Sequence, residues 1–478
     1  MKEQEINPQV SRRQSLQSLF SRQRQAYDAD PMPSAASRIA LLRRLERQLL
    51  ADKEVLCAAL DADYGGRHRQ DTLLADILPC LTHLRYSRRR IRRWMRPQRR
   101  SAGFLLTPAR IRVYYQPLGV VGIVVPWNFP ILLALCPLIG ALAAGNRVML
   151  KLSEFTPRVN RRLVELLERV FPPDTVACLE GDAELAADFV SLPFDHLLFT
   201  GSIAVGQQVM RSAAEHLTPV TLELGGKSPA LIAADVDLDF AVRRMLFGKT
   251  LNAGQICVAP DYVLVPRDRI NAFVDCYRRH FAQLYPEGVG SADYASVINQ
   301  RQYQRLLQLL ADAEGQGARV FACCEGRHRD DGRRRLTTHL LLDVSESMTL
   351  MQQEIFGPLL PVLPYDTLPE ALEMICRRPR PLALYLFSHD RDLQRRVIEQ
   401  THAGGMAINE TVLQAAVDDA PFGGIGPSGM GHYRGKEGFE TFSKAKTVLV
   451  RGRFSTGTLL QPPYGSPWQQ RLLRWFLR

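Results

Sequence analysis

From residue 36 to residue 100, apolar side chains recur at steps of three and four, most clearly through ASRIALLRRLERQLLADKEVLCAALDADYG, and this period predicts amphipathic helices. Ser34 or Ser37 offers an N-cap, and the Gly65-Gly66 pair ends the run. Nine arginines fall in the sixteen positions from Arg85 to Arg100; they mark the solvated side of an amphipathic helix, with a nucleic-acid or phospholipid face as the alternative. After Pro108 the texture changes. ARIRVYYQPLG alternates like an exposed strand, and GVVGIVVP is a short β-branched run bounded by glycine and proline, the pattern of a buried strand. Strands over 148–152, 176–179, 196–200 and 220–224 then alternate with helices over 158–170 and from Ile203 onward. A second alternating stretch, from Pro229 to about Ala416, carries strands over 230–232, 262–265, 382–387 and 406–409. Such alternation predicts an α/β fold of two domains, each a parallel sheet covered by helices. The longest apolar stretch, Phe129 to Gly145, carries prolines and reads as a buried helix, because a membrane span needs roughly eighteen apolar residues. The polar segment CCEGRHRDDGRRR is expected to be a surface loop.

Composition narrows the class. With 478 residues, 46% hydrophobic and 23% charged, the chain matches ordinary globular usage, which excludes wholesale disorder, collagen and coiled coil. The net charge of +12 suits anionic substrates, nucleic acid or a membrane surface and by itself selects none of them. Nine scattered cysteines point to reduced, cytoplasmic chemistry, and the start MKEQEINPQVSRRQ lacks the apolar region of a secretory signal.

A cysteine works as a nucleophile where it is partly exposed and its thiolate is favoured. Cys257 lies in LNAGQICVAPDY, where Gly254 permits a tight turn beside a substrate; the other eight cysteines lack that setting. Alone, it is more often a small buried hydrophobe. Its weight comes from company. Glu223, thirty-four positions earlier, ends a strand in TLELGGKSP and precedes two glycines, a placement suited to a general base; the alternative is a strand-end glutamate paired with Lys227. Asn128 in VVPWNFP stands between Pro126 and Pro130, which stiffen the backbone so that its amide can serve as an oxyanion donor; the alternative is a turn-forming asparagine. For a cofactor, HLLFTGSIAVG puts Gly201 and Ser202 between a strand and a helix whose free N–H groups suit a pyrophosphate. The spacing to Gly206 departs from the dinucleotide fingerprint, so an ordinary strand-to-helix turn stays open. Lys151 and Glu154, in VMLKLSEFTP, follow another strand, where the carboxylate either accepts from ribose hydroxyls or makes a surface ion pair.

PWNFP, LKLSE, FTGS, LELGGKSP, GQICVAPDY, QEIFGPLLP and PFGGIGPSGMG stand in the order and spacing of the aldehyde dehydrogenase superfamily, which the chain resembles from about Ser34 to Val450. The ending PFGGIGPSGMGHYRGKEGFETFSKAK, the short N-terminal region and APDYV after the cysteine are most similar to the class-three branch, which includes coniferyl-aldehyde dehydrogenases. The resemblance implies a Rossmann-like cofactor domain (1–106 and 119–225), an α/β catalytic domain (226–416), a small β oligomerisation element (107–118 and 431–455), a C-terminal tail (456–478) and a homodimer. It implies Cys257 as nucleophile, Glu223 as general base and Asn128 as oxyanion ligand. On the cofactor it implies Lys151 and Glu154 at the adenosine ribose, Gly201, Ser202 and Gly206 at the pyrophosphate, Glu354 and Phe356 at the nicotinamide ribose and ring, and Trp127 and Leu224 beside them. The implied cofactor is NAD or NADP, with NAD favoured, no metal is required, and the implied substrate is an aromatic or bulky apolar aldehyde.

Three departures bear on substrate and cofactor. Leu152 replaces the usual proline of LKLSE, Asn409-Glu410 stands where the class-three pattern more often has asparagine then aspartate, and TVLQAAV lacks an expected histidine. In the tail, Trp468, Leu472, Trp475 and Phe476 fall at i, i+4, i+7 and i+8 with Arg471, Arg474 and Arg478 around them. Such a helix is too short to span a membrane and suits either peripheral membrane contact or packing on this or a partner subunit. Two rival functions remain: a coenzyme-A-acylating relative, against which the retained Glu223 argues, and a non-enzymatic basic protein binding lipid or nucleic acid, the partner the motifs least favour.

Overall fold

The structure, a computed structural model, describes residues 8–452 and 461–477. Five parallel strands form one sheet in the order Val220–Leu224, His196–Gly201, Val120–Val124, Arg147–Lys151 and Val176–Leu179, and the short strand Gly429–Met430 joins its first edge antiparallel. A second sheet runs Arg319–Ala322, His339–Leu342, Leu359–Tyr365, Tyr262–Pro266, Pro229–Ile232, Ala383–Phe387 and Gly405–Ile408, parallel except for its first pair. The predicted strands and the α/β class are therefore present, shifted by a residue or two at their ends. Gln98–Arg100, Arg110–Pro117 and Ser443–Val450 make a third, antiparallel sheet. Among the described residues no helix is long and apolar enough to cross a membrane.

Helix Pro157–Val170 shows how the pattern becomes packing. Val159, Leu163, Leu166, Leu167 and Val170 line one buried stripe, and Pro157 opens the helix where no N–H partner is needed. The long apolar stretch is helix Pro130–Ala144, buried nearly all round and closed by Gly145 at φ 99°. Its C-terminal carbonyls meet a buried guanidinium: Arg38 donates to Ala143 O at 3.0 Å and to Ala144 O at 2.5 Å. A Cβ on Gly145 would press into that guanidinium, so glycine serves both the turn and the close approach.

Three segments differ from expectation. Helix Pro8–Ala29 carries little hydrophobic signal because it touches the first sheet through a narrow contact, in which Leu16 and Phe20 are buried. The arginine-rich helix ends at Trp94 and the chain enters the third sheet at Gln98; Arg85 and Arg88 close onto Glu46 of helix Ala35–Tyr64. Part of that arginine stripe is thus tied to a neighbouring helix. In the expected surface loop, Arg329–Asp330 pairs with Arg335–Leu336 and Arg335 is buried, since carbonyls of Val289 and Ser291, at 3.0 and 2.7 Å, satisfy its charge.

Candidate active site

The first sheet grows outward from Val120–Val124 on one side through Arg147–Lys151 and on the other through His196–Gly201, so the segments after the central strands diverge at a topological switch point. Trp127 and Asn128 follow one of these strands and Ser202 the other. The carboxyl ends of this sheet meet the amino ends of the second: Asn128 bonds to Gln255, ahead of Tyr262–Pro266, and Gly225 abuts Glu354, ahead of Leu359–Tyr365.

Asn128 is almost fully buried and held from several sides. Its carbonyl accepts from Arg67 Nη1 at 2.9 Å, Tyr64 Oη at 3.0 Å and Asn252 Nδ2 at 3.1 Å, three donors converging on an oxygen with two lone pairs. Its own Nδ2 donates to Gln255 O at 3.2 Å, two residues before Cys257. Arg67 in turn pairs at 2.9 Å with Asp76, both side chains excluded from solvent, and Asp76 accepts the Leu132 N–H at 3.0 Å. Tyr64, Arg67, Asp76 and Asn252 escape motif reading. The nearest signal is that Tyr64 and Arg67 flank the glycine pair, which on sequence grounds only ends a helix.

The turn before the cysteine is strained. Asn252, Ala253 and Gly254 are all left-handed, at φ 49°, 51° and 74°. For the two non-glycine residues this costs on the order of 1–3 kcal/mol each and persists only because the surroundings over-determine it. Here the surroundings are the Asn252 amide, bonded to Asn128 O and, at 3.3 Å, to Gln255 O, with the Asn252 N–H on Asp71. Burial pushes the Cys257 thiol up to about 12, with the negative charge of Glu354 and Glu223 adding to it, while the N–H groups of Cys257 and Val258 draw it down.

Glu223 sits opposite Gly429 on the edge of the first sheet, buried, with neither carboxylate oxygen hydrogen-bonded. Desolvation holds it well above the usual carboxylate range, opposed by Arg434, whose buried Nε and Nη1 also lack hydrogen-bond partners. The Lys227 alternative fails: that ammonium pairs with Asp261 and donates to Leu350 O at 2.6 Å and Gln353 O at 3.2 Å.

The other residues lie at and beyond the carboxyl ends of the first sheet and ahead of Leu359–Tyr365. Ser202 heads helix Ile203–Ala214 without capping it, leaving the N-terminal N–H groups open to an anion. A Cβ on Gly206 would fall 2.7 Å from Leu224 Cδ2, so glycine lets the helix close onto that strand, and one on Gly201 would enter the Phe199 ring. Lys151 is buried, donates to Leu152 O at 2.9 Å and Gly181 O at 2.6 Å, and reaches the exposed Glu154 at 3.5 Å. Leu152 explains its departure from proline in part: its N–H donates to Leu179 O at 2.9 Å, a sheet bond proline lacks. Trp127 and Phe356 meet edge to face at 5.3 Å, with Phe356 at φ 49°. Glu354, pushed up to about 8 chiefly by burial, accepts from the Gly226 N–H, and a Cβ on Gly225 would collide with its carboxylate. Asn409, left-handed at φ 59°, clamps Ser388 through both amide atoms at 2.9 and 3.0 Å, while Glu410 reaches Arg244 at 3.9 Å. An open helix terminus, carboxylates on either side and an aromatic pair fit a pyridine dinucleotide.

The aldehyde dehydrogenase family model matches residues 7–448. A protein of Pseudomonas aeruginosa named a probable coniferyl aldehyde dehydrogenase is 50% identical over 477 residues, covering 100% of this chain and 98% of that protein. Among solved structures, the substrate-bound state of Staphylococcus aureus AldH superposes with a TM-score of 0.91 at 34% identity, over 97% of this chain and 99% of that one. The Mycobacterium tuberculosis aldehyde dehydrogenase complexed with NAD+ gives 0.84 at 30% identity, over 92% and 91%. With these matches the chain belongs to the aldehyde dehydrogenase family, enzymes that oxidise aldehydes to acids with a pyridine nucleotide.

Proposed function

We propose that the enzyme oxidises aromatic or bulky apolar aldehydes of the coniferyl-aldehyde kind, with NAD preferred, through a thioester on Cys257. One observation carries this reading: the Asn128 amide is bonded to the loop two residues before Cys257, and the charge of a buried carboxylate with free lone pairs, Glu223, reaches the same thiol. The Cys257 thiolate adds to the aldehyde carbon, and the alkoxide that develops is met by the Asn128 amide and the Cys257 N–H, donors whose placement precedes the charge. The bound nicotinamide supplies the hydride acceptor. Glu223 then takes a proton from water as that water adds to the thioester carbonyl; the carboxylic acid leaves and the thiol is restored. Hydrolysis is favoured over transfer to coenzyme A because a carboxylate engaged by nothing else stands ready for water.

Ser202, Gly201 and Gly206 would receive the pyrophosphate, Lys151 and Glu154 the adenosine ribose, and Glu354, Phe356, Trp127 and Leu224 the nicotinamide end. The exposed Glu154 carboxylate repels a 2′-phosphate, which supports NAD. In this scheme 1–106 and 119–225 bind cofactor, 226–416 carry the catalytic loop, and 107–118 with 431–455 join two copies; the third sheet also takes in Gln98–Arg100, and residues 453–455 lie outside the described residues. We assign the enzyme to the cytoplasm with peripheral membrane contact through the tail. Helix Pro467–Phe476 leaves Trp468 and Trp475 exposed, with Phe104 against Trp475 and Phe476 at 5.9 Å; Arg478 lies outside the described residues.

The deciding measurement is reduced-cofactor formation from aliphatic and aromatic aldehydes, with NAD and NADP separately and with and without coenzyme A, in the native enzyme and in Cys257→Ala. Aromatic preference, NAD preference, indifference to coenzyme A and loss of turnover in the variant are expected. Turnover surviving in Cys257→Ala would remove it as nucleophile, and dependence on coenzyme A would move the enzyme to the acylating class.

A further inference from the structure

Helix Leu238–Thr250 leads at its C-terminal end into the strained turn before Cys257; at its other end stands a cluster that the reaction does not use. Asp239, in the first turn, faces Cys276 and His280 of helix Ile270–Leu284, two residues four apart and so on one helical face. One donor atom from each residue lies within 4.8 Å of the other two, and Cys276 and His280 are 4% and 8% exposed.

The three groups meet at one oxygen, Asp239 Oδ1. His280 Nε2 donates to the Asp239 carboxylate in a short contact, and its Nδ1 lies 3.0 Å from Gln283 Oε1. Cys276 Sγ stands 3.7 Å from the same carboxylate oxygen. Three groups able to ligate a metal once Cys276 and His280 give up their hydrogens thus converge, with a cation already over them: Arg279 Nη2 is 2.9 Å from Asp239 Oδ1 and 3.6 Å from Cys276 Sγ, on a side chain 54% exposed. An open cavity of about 490 Å3, lined by Asp239, Arg243, Arg279, His280 and Gln283, adjoins the donors.

We propose that Asp239, Cys276 and His280 bind a divalent metal ion of the zinc class, with water in the fourth position. Imidazole, thiolate and carboxylate form a borderline donor set matched to zinc, and three protein donors with one open position on a cavity is a tetrahedral arrangement. At metal–ligand lengths of about 2.0–2.3 Å, tetrahedral donors stand roughly 3.3–3.8 Å apart, so the Cys276–Asp239 separation already fits and the His280–Asp239 contact opens by about 1 Å. On binding, Cys276 releases its thiol proton to solvent, His280 gives up the hydrogen on Nε2, and the Arg279 guanidinium swings into the cavity. With Nε2 on the metal, His280 Nδ1 would donate to Gln283 Oε1, the outer acceptor that ligating histidines use. The ion would tie together the two helices behind the cysteine turn.

The test titrates full-length Cys257→Ser, which lacks the active-site thiol, with cobalt(II), whose thiolate complexes show a near-ultraviolet charge-transfer band. One equivalent with that band is expected, absent when Cys276→Ser or His280→Ala is added. Gln283→Leu should weaken binding about 10–100-fold, and Arg279→Ala, which removes a competing cation, should tighten it. Absence of the band in Cys257→Ser, its survival in Cys276→Ser, or weaker binding by Arg279→Ala would each overturn the proposal. The Arg279 arm guards against misfolding, because damage to the fold does not raise affinity.

Discussion

Asn128 and Glu223 belong to the same sheet system and are almost equally hidden, at 3% and 4% exposure, yet their surroundings are opposite. The asparagine is bonded through its carbonyl to three donors and through its amide to the cysteine loop, and the Arg67–Asp76 pair braces it from behind. The glutamate accepts no hydrogen bond at all. The contrast matches the two tasks proposed for them. A donor that meets charge appearing only in the transition state works by being fixed beforehand. A proton acceptor works by having lone pairs uncommitted, and desolvation raises its affinity for the proton it must take.

Four perturbations probe that contrast. Glu223→Gln should slow steady-state turnover by about 10²–10⁴-fold, the usual worth of a general base, while rapid mixing still shows a burst of reduced cofactor because acylation needs no base on water; loss of the burst would assign Glu223 to an earlier step. Asn128→Ala should lower kcat by about 10²–10³-fold and take the burst rate down with it, and an intact burst rate would show that the clamp serves stability alone. Arg67→Met leaves Asp76 buried without its partner, so it should destabilise the fold by about 3–5 kcal/mol in a denaturant titration and, through the loosened Asn128 carbonyl, lower kcat by about tenfold with little change in KM. Arg67→Lys should recover part of the stability but less of kcat, because a point charge cannot serve both Asn128 O and the Asp76 carboxylate with the same geometry.

The smallest effect expected is in pH dependence. In the proposed reaction Cys257 and Glu223 act as thiolate and carboxylate, and burial raises the proton affinity of both, so each is less ionised at neutral pH than an exposed counterpart. The rate should therefore rise with pH through the neutral and mildly alkaline range. Arg434 lowers the affinity of Glu223 for its proton, so Arg434→Gln should displace the limb of the hydrolytic step to higher pH by severalfold in rate at fixed pH. A displacement toward acid would show that Arg434 acts on something other than Glu223.

Period and punctuation revealed most elements. The β-branched runs bounded by glycine and proline became central strands because both faces of a parallel sheet are covered, and the apolar stripe of Pro157–Val170 became a helix packed through that stripe. Helix Pro8–Ala29 was illegible because its contact is narrow, and Arg335 looked solvated because its carbonyl partners come from a distant segment. Motif order pointed to Cys257, Glu223, Asn128 and the proposed cofactor contacts. It did not reach Tyr64, Arg67, Asp76 or Asn252, whose importance lies in long-range hydrogen bonds.

By itself, then, the amino-acid order determined the α/β alternation, the absence of a long apolar span, and which residues carry reactive groups, since each is a local property of periodicity, size or functional group. Only the tertiary structure decided that Lys227 serves Asp261 and leaves Glu223 free, that Asn252 can hold a left-handed turn, that Leu152 exchanges proline rigidity for a sheet hydrogen bond, and that Asp239 meets Cys276 and His280. Those outcomes depend on which buried polar groups find partners, and a partner is chosen by distance in space, which spacing along the chain does not encode.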